Sequence, residues 1–224
     1  MKLLFLGCSW TEGCELGLVE DRERYRYSTI IGRRLNAEVV NLAKPGRSNH
    51  AIARIFLEQD LSQYDRVFVQ MSNINRFEWY DPTGESQNVK LREKIKRCSG
   101  KEKERQLKVL SKPVPIENLW DQILINKKLY MTTGNVFEGK EWWQRFYEEI
   151  YDDRLAKSQE YMYFHLFKNR LTTLNIPHLI FSINYQCKLP IDLQLNQMKY
   201  PRAPQGHPNK IGHIMLANDI LKLL

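Results

Sequence analysis

The stretch LLFLGCSW, Leu3 to Trp10, decides how the rest of the chain is read. Four apolar residues run straight into Gly7-Cys8-Ser9. One reading is export, with Cys8 as the lipidated residue of a cleavage site. The other is a buried strand that delivers Ser9 at its carboxyl end. A secretory leader needs a charged start, an apolar stretch of roughly 7–15 residues and a cleavage site. Only six residues precede Gly7, one of them Lys2, so the strand reading is taken outward along the chain.

The neighbouring segments keep the same rhythm. Arg26 to Leu35 places Ile30, Ile31 and Leu35 at helical spacing, with Ser28 as a candidate cap. EVVNL, from Glu38, reads as a second strand that Pro45-Gly46 ends. Ser48 or Asn49 can cap a helix carrying Ile52, Ile55, Phe56 and Leu61. DRVFVQM, Asp65 to Met71, reads as a third strand. Strand, helix, strand, helix, strand argues for a parallel sheet covered on both faces. Later come a helix over Tyr161 to Leu174 and a strand over His178 to Ile183. A closing helix over Asn209 to Leu224 should turn Ile211, Ile214, Met215, Ala217, Ile220 and Leu221 inward. Residues 81 to about 150 break the rhythm and read as a mostly helical insertion into one domain spanning 1–224. Trp142, Trp143, Phe146 and Tyr147 are expected to form the insertion's own core.

Charge and cysteines narrow the setting. The net charge of +8 is concentrated in residues 90–108, where nine Lys or Arg face three Glu. Such a run is either a solvated face or a patch for an anionic polymer, and it holds no aromatic residue for base stacking. Cys8, Cys14, Cys98 and Cys187 lack metal-site spacing and read as free thiols in a reducing compartment. No run approaches the ~20 apolar residues of a membrane helix. The expected location is therefore cytoplasmic, with no metal and no cofactor.

In an open parallel sheet the loops at the carboxyl ends of the strands line one crevice. Here those loops hold Ser9, Gly46, and Asn73 with Asn75, while Gly206-His207-Pro208 precedes the last helix. A hydroxyl, a glycine amide, a side-chain amide and an imidazole are the parts of an acyl-transfer site. Ser9 could instead cap a helix, Gly46 could simply turn the chain, and His207 could be a surface-turn residue. Proline after His207 holds its backbone extended. His213, inside the last helix, reads as structural.

These four segments, in this order, resemble the blocks of the SGNH hydrolases, also called the GDSL esterase family. GCSWTEG is similar to the first block, NLAKPGRSN to the second, VQMSNIN to the third and HPNKIGH to the last. The resemblance implies a flavodoxin-like three-layer α/β/α sandwich with a central parallel sheet. It implies Ser9 as nucleophile, His207 as general base, and an oxyanion hole of the Ser9 and Gly46 amides with the Asn73 side chain. It further implies cleavage of small O-acyl esters, with acetyl esters on carbohydrate as one substrate class.

Two departures from the family pattern stand out. Met71 and Ile74 replace a glycine and an aspartate of the third block, which leaves Asn75 as a rival to Asn73. The aspartate usually found two or three residues before the histidine is absent, because Pro204 and Gln205 occupy those positions. Gln205, a backbone carbonyl, or a carboxylate such as Asp192 or Glu78 is the expected substitute for orienting His207, while Arg76 and Glu78 either pair with each other or line the pocket rim. A retained crevice that binds without catalysis is the alternative.

Overall fold

The computed structural model describes residues 1–74, 76–80, 129–132, 152–183, 187–204 and 206–224. Its strands are β1 (Lys2–Leu6), β2 (Glu38–Asn41), β3 (Arg66–Met71), β4 (Phe77–Tyr80), β5 (Leu129–Thr132), β6 (His178–Ser182) and β7 (Leu193–Gln194). Its helices are α1 (Ser9–Glu12), α2 (Val19–Tyr25), α3 (Tyr27–Arg34), α4 (Asn49–Leu57), α5 (Asp153–Thr173) and α6 (Lys210–Leu221). Five strands form one parallel sheet in the order β2-β1-β3-β6-β7. β4 and β5 pair separately.

Side chains alternate across a strand, so each strand feeds two cores. Leu3 and Phe5 join Phe68, Leu179 and Phe181 beneath α3 and α6, where Tyr27, Ile31, Leu216 and Ile220 complete the layer. Leu4 and Leu6 join Val67, Val69 and Ile180 beneath α4 and α5, where Ile52, Phe56, Phe164 and Phe167 answer them. Phe5 and Phe68 stack with ring centroids 4.3 Å apart. With both faces covered, the strands carry near-continuous apolar runs, as Leu3 to Leu6 does. This is a three-layer α/β/α sandwich with the flavodoxin-like strand order. The chain changes direction between β1 and β3, and a switch of that kind opens a crevice at the carboxyl ends of the two strands.

Three local expectations change. Ser28 does not cap α3, whose N-cap is Arg26; its buried hydroxyl accepts from Asn41 instead. The helix expected from Tyr161 begins at Asp153, where the Asp152 side chain accepts from the Arg154 N–H. In α6, Ile211 is 60% exposed and Ile214 39%, while Gly212, His213, Leu216, Ala217 and Ile220 are buried. Apolar residues surround this helix, so their spacing alone does not set which face turns inward. Close approach and a hydrogen bond set it: the Gly212 backbone packs on the Pro201 carbonyl, where an added Cβ would lie 2.4 Å from the oxygen. On the same buried face, His213 Nδ1 accepts from the Tyr27 N–H at 3.2 Å.

The chain divides into two compact units, Met1–Phe77 with Thr132–Leu224, and Glu78–Met131. Most of the expected insertion, including the basic run and the Trp142-Trp143 segment, lies outside the described residues, as do Asn75 and Gln205. Among the described residues no helix is long and apolar enough to cross a membrane.

Candidate active site

The corner after β1 is built by close approach. A Cβ on Gly7 would lie 2.4 Å from Thr11 Oγ1 and 2.9 Å from Gln70 Cβ, so only glycine fits. Ser9 then opens α1, buried, and its carbonyl accepts from the N–H groups of Gly13 and Cys14, each at 3.0 Å. Behind it, Gln70 of β3 is fully buried and bridges the corner. Its Oε1 accepts from the Thr11 N–H at 3.2 Å and from Thr11 Oγ1, while its Nε2 donates to Cys8 Sγ at 3.0 Å. Thr11 has spent its hydroxyl proton on Gln70, so the Tyr27 hydroxyl, 2.6 Å away, donates to Thr11 Oγ1. Burial pushes the Tyr27 phenol above its ordinary value, which keeps that proton in place.

Cys8 precedes Ser9 and is also fully buried. Burial acts to raise its thiol. The Arg76 charge and hydrogen bonds from Gln70, the Trp10 backbone and Ser72 outweigh that effect and bring it below the ordinary value. Arg76 donates to Ser72 Oγ at 2.8 Å, so it braces the loop after β3. Asn49, the first residue of α4, holds the same loop by a reciprocal pair. Its Nδ2 donates to the Ser72 carbonyl at 3.1 Å, and its Oδ1 accepts the Ser72 N–H at 2.7 Å. The segment from β2 to α4 is closed by Arg47, which donates to the Leu42 carbonyl, and by Ser48, which caps Ala51 N–H at 3.1 Å. Gly46, just before Arg47, turns with φ +76°. Gly46 and Asn73 are both half-buried, and the Asn73 side chain makes no hydrogen bond among the described residues.

His207 lies in the loop between β7 and α6. Its ring Nδ1 is 2.7 Å from Glu15 Oε2, and its backbone N–H donates to the same oxygen at 3.0 Å. The carboxylate sought beside His207 is therefore Glu15, in the loop after α1. Asp192 does not orient the ring; its Oδ2 accepts the Ile180 N–H at 2.6 Å and helps attach β7 to the sheet. Gln205 and the Glu78 side chain lie outside the described residues. The Ser9 hydroxyl meets Cys8 Sγ at 3.8 Å and makes no hydrogen bond with His207 in this structure. His213 is fully buried, and burial, then the nearby His207, lower it to about 3. It is thus a neutral ring whose Nε2 has no hydrogen-bond partner among the described residues. Among the described residues no three His, Cys, Asp or Glu side chains converge as metal ligands.

Over its whole length the chain is similar to solved structures of the GDSL family and of esterases. A lipolytic-type protein of the G-D-S-L family from Desulfitobacterium hafniense DCB-2 shares 14% identity at a TM-score of 0.38, with 100% of this chain and 99% of that one covered. The psychrotrophic esterase EstA from Pseudoalteromonas sp. shares 11% at 0.39, covering 99% and 94%. An acetylxylan esterase from Geobacillus stearothermophilus, solved as a catalytic mutant, shares 16% at 0.37, covering 99% and 93%. No protein-family model matches the chain, and no curated protein does.

Proposed function

We propose that this protein is a serine hydrolase of small O-acyl esters. The observation that supports it most is the convergence at the β1–β3 switch point. Ser9 begins α1 there, and Cys8 just before it is hydrogen-bonded by Ser72, from the loop that Asn49 and Arg76 fasten. Because Nδ1 of His207 faces Glu15, Nε2 is the nitrogen left for the Ser9 proton. Ser9 Oγ attacks the ester carbonyl carbon as its proton passes to that nitrogen. The resulting oxyanion is met by the amides of Ser9 and Gly46 and by the Asn73 side chain. The C–O bond to the alcohol breaks, and the alcohol leaves with the proton from His207. Water then attacks the acyl-Ser9 ester, giving up a proton to His207, and the acid departs as Ser9 regains its hydrogen. The Ser9 hydroxyl, which meets Cys8 Sγ in this structure, must first turn toward the crevice. Catalytic contacts are often long in an unliganded enzyme and tighten on substrate.

Hydrolysis of short p-nitrophenyl esters and labelling by a fluorophosphonate probe test this reading. Labelling should map to Ser9 and vanish, with turnover, in Ser9→Ala. Acetylated oligosaccharide is the natural second substrate to compare. A folded protein that neither labels nor hydrolyses would leave a crevice kept for binding alone.

A further inference from the structure

The site gains an acid from a place that no motif around the histidine announces. We infer that Glu15 is the positioning residue of His207, so that nucleophile and acid lie on one short segment, Ser9 to Glu15, and the base alone comes from the far end of the chain. This rests on the hydrolase reading above and deepens it.

Three observations carry the inference. The first is contact: one oxygen of Glu15 accepts both the ring Nδ1–H and the backbone N–H of His207, across 192 residues. Two bonds to one residue fix the ring's tilt as well as its position, and they assign the hydrogen to Nδ1. The second is backbone. Glu15 has φ +66°, between Gly13 at +89° and Gly17 at +92°. A side chain other than glycine holds that conformation only where its surroundings enforce it, and such residues gather at functional sites. The local structure supplies the enforcement. Gly13 ends α1, buried Leu16 anchors the turn from the core side, and Glu15 is left to reach His207.

The third is a set of parallel ties along the same seam. Asp21 pairs with Lys210 at 3.2 Å, and the Lys210 ammonium lies 4.4 Å from the Tyr25 ring centroid. The Tyr27 N–H then donates to His213. Residues 15–27 are thus fastened to residues 207–213 at several points, and the Glu15 contact belongs to a preorganised seam. Glu15 and His207 are both largely sheltered, with side-chain exposures of 13% and 23%, so water screens their interaction less than it would an open surface pair. In the acyl-transfer step the proton taken from Ser9 makes the ring a cation, and the Glu15 charge stabilises it at that moment. Glu15 itself touches no reacting atom.

The test uses the full chain with Glu15→Gln and Glu15→Asp, each checked for native circular dichroism and melting. Glu15→Gln keeps the shape and can keep an oxygen at the same place, but it removes the charge. The expected result is a fall in kcat of about 100-fold or more with KM changed less than about threefold, and partial recovery in Glu15→Asp. Proton NMR of the wild type should show a downfield Nδ1–H signal from His207, assigned by its loss in His207→Gln, and Glu15→Gln should remove or shift it. If wild-type Ser9 labels and turns over while folded Glu15→Gln keeps kcat within about threefold, the role of Glu15 is overturned and the hydrolase reading stands. If wild-type Ser9 neither labels nor turns over, both fall, even where the NMR signal shows the contact to exist.

Discussion

Gly7 shows how much of the corner depends on one missing side chain. β1 must stop, turn and start α1 within two residues, while Gln70 and Thr11 close over the same spot. The added methyl of Gly7→Ala would press on Thr11 Oγ1 at 2.4 Å and on Gln70 Cβ at 2.9 Å. Both partners are buried, and both belong to the network that also holds Cys8 and Tyr27. Neither can retreat without breaking a hydrogen bond. Overpacking of this kind costs about 1–3 kcal/mol. Gly7→Ala should therefore lower the unfolding free energy by that amount, seen as a lower urea midpoint, and slow the proposed ester hydrolysis, because Ser9 is two residues away. An unchanged midpoint would mean that the corner is looser than its contacts imply. The same corner explains why Glu15 was not legible in the sequence. An acid six residues after a serine carries no signal by itself, and its meaning comes from a partner 192 residues on and from a left-handed turn.

At the scale of elements, the strands were legible because their apolar runs are short, uninterrupted and ended by turn residues. Leu3 to Leu6 and Val67 to Met71 are buried on both faces and could hardly be surface segments. Helix phase was harder to read where apolar residues surround the helix, as in α6, because the close packing of Gly212 and the hydrogen bond of His213 decide it. Caps were partly legible. Ser48 and Asn49 are equivalent as candidates in the sequence, yet Ser48 caps α4 while Asn49 reaches across to Ser72. That division of labour matters for the crevice, since Asn49 is what ties the start of α4 to the loop after β3. Asn49→Ala would leave the buried N–H of Ser72 and its carbonyl without these partners. Each orphaned group costs about 1–3 kcal/mol. The expected outcome is a loss of about 2 kcal/mol or more in chemical denaturation, with a fall in turnover as the Asn73 loop loosens. Ser48→Ala should cost about 1 kcal/mol through α4 alone and spare turnover more. Equal loss of turnover in the two variants would separate the Asn49–Ser72 pair from the proposed oxyanion hole.

For the whole molecule, two buried groups on opposite faces of the sheet should set the response to pH, and they act with opposite sign. His213, on the buried face of α6, titrates in the folded protein at about 3 against an ordinary 6.5, because burial and His207 disfavour its charge. The unfolded chain takes up that proton first, so this contribution to stability is present above pH 6.5 and is lost as pH falls toward 3. Glu160, on α5, titrates at about 7 against an ordinary 4.5, because burial outweighs its hydrogen bond with Cys187 and the charge of Lys157. The folded protein keeps that proton longer, so this contribution is present below pH 4.5 and is lost as pH rises through 7. Between pH 4.5 and 6.5 the two slopes oppose one another, and each is at most about 1.4 kcal/mol per pH unit. Variants unmask them separately. Glu160→Gln mimics the protonated carboxyl and should leave stability climbing with pH from 3 to 6.5, with a gain over the wild type above pH 7. His213→Phe keeps a ring against Tyr27, now stacked at 6.0 Å, and should leave stability falling from pH 4.5 to 7. Denaturation midpoints of the three proteins across pH 4 to 8 give these slopes directly. Parallel curves for all three would show that neither group is as buried in solution as its place in the sandwich requires.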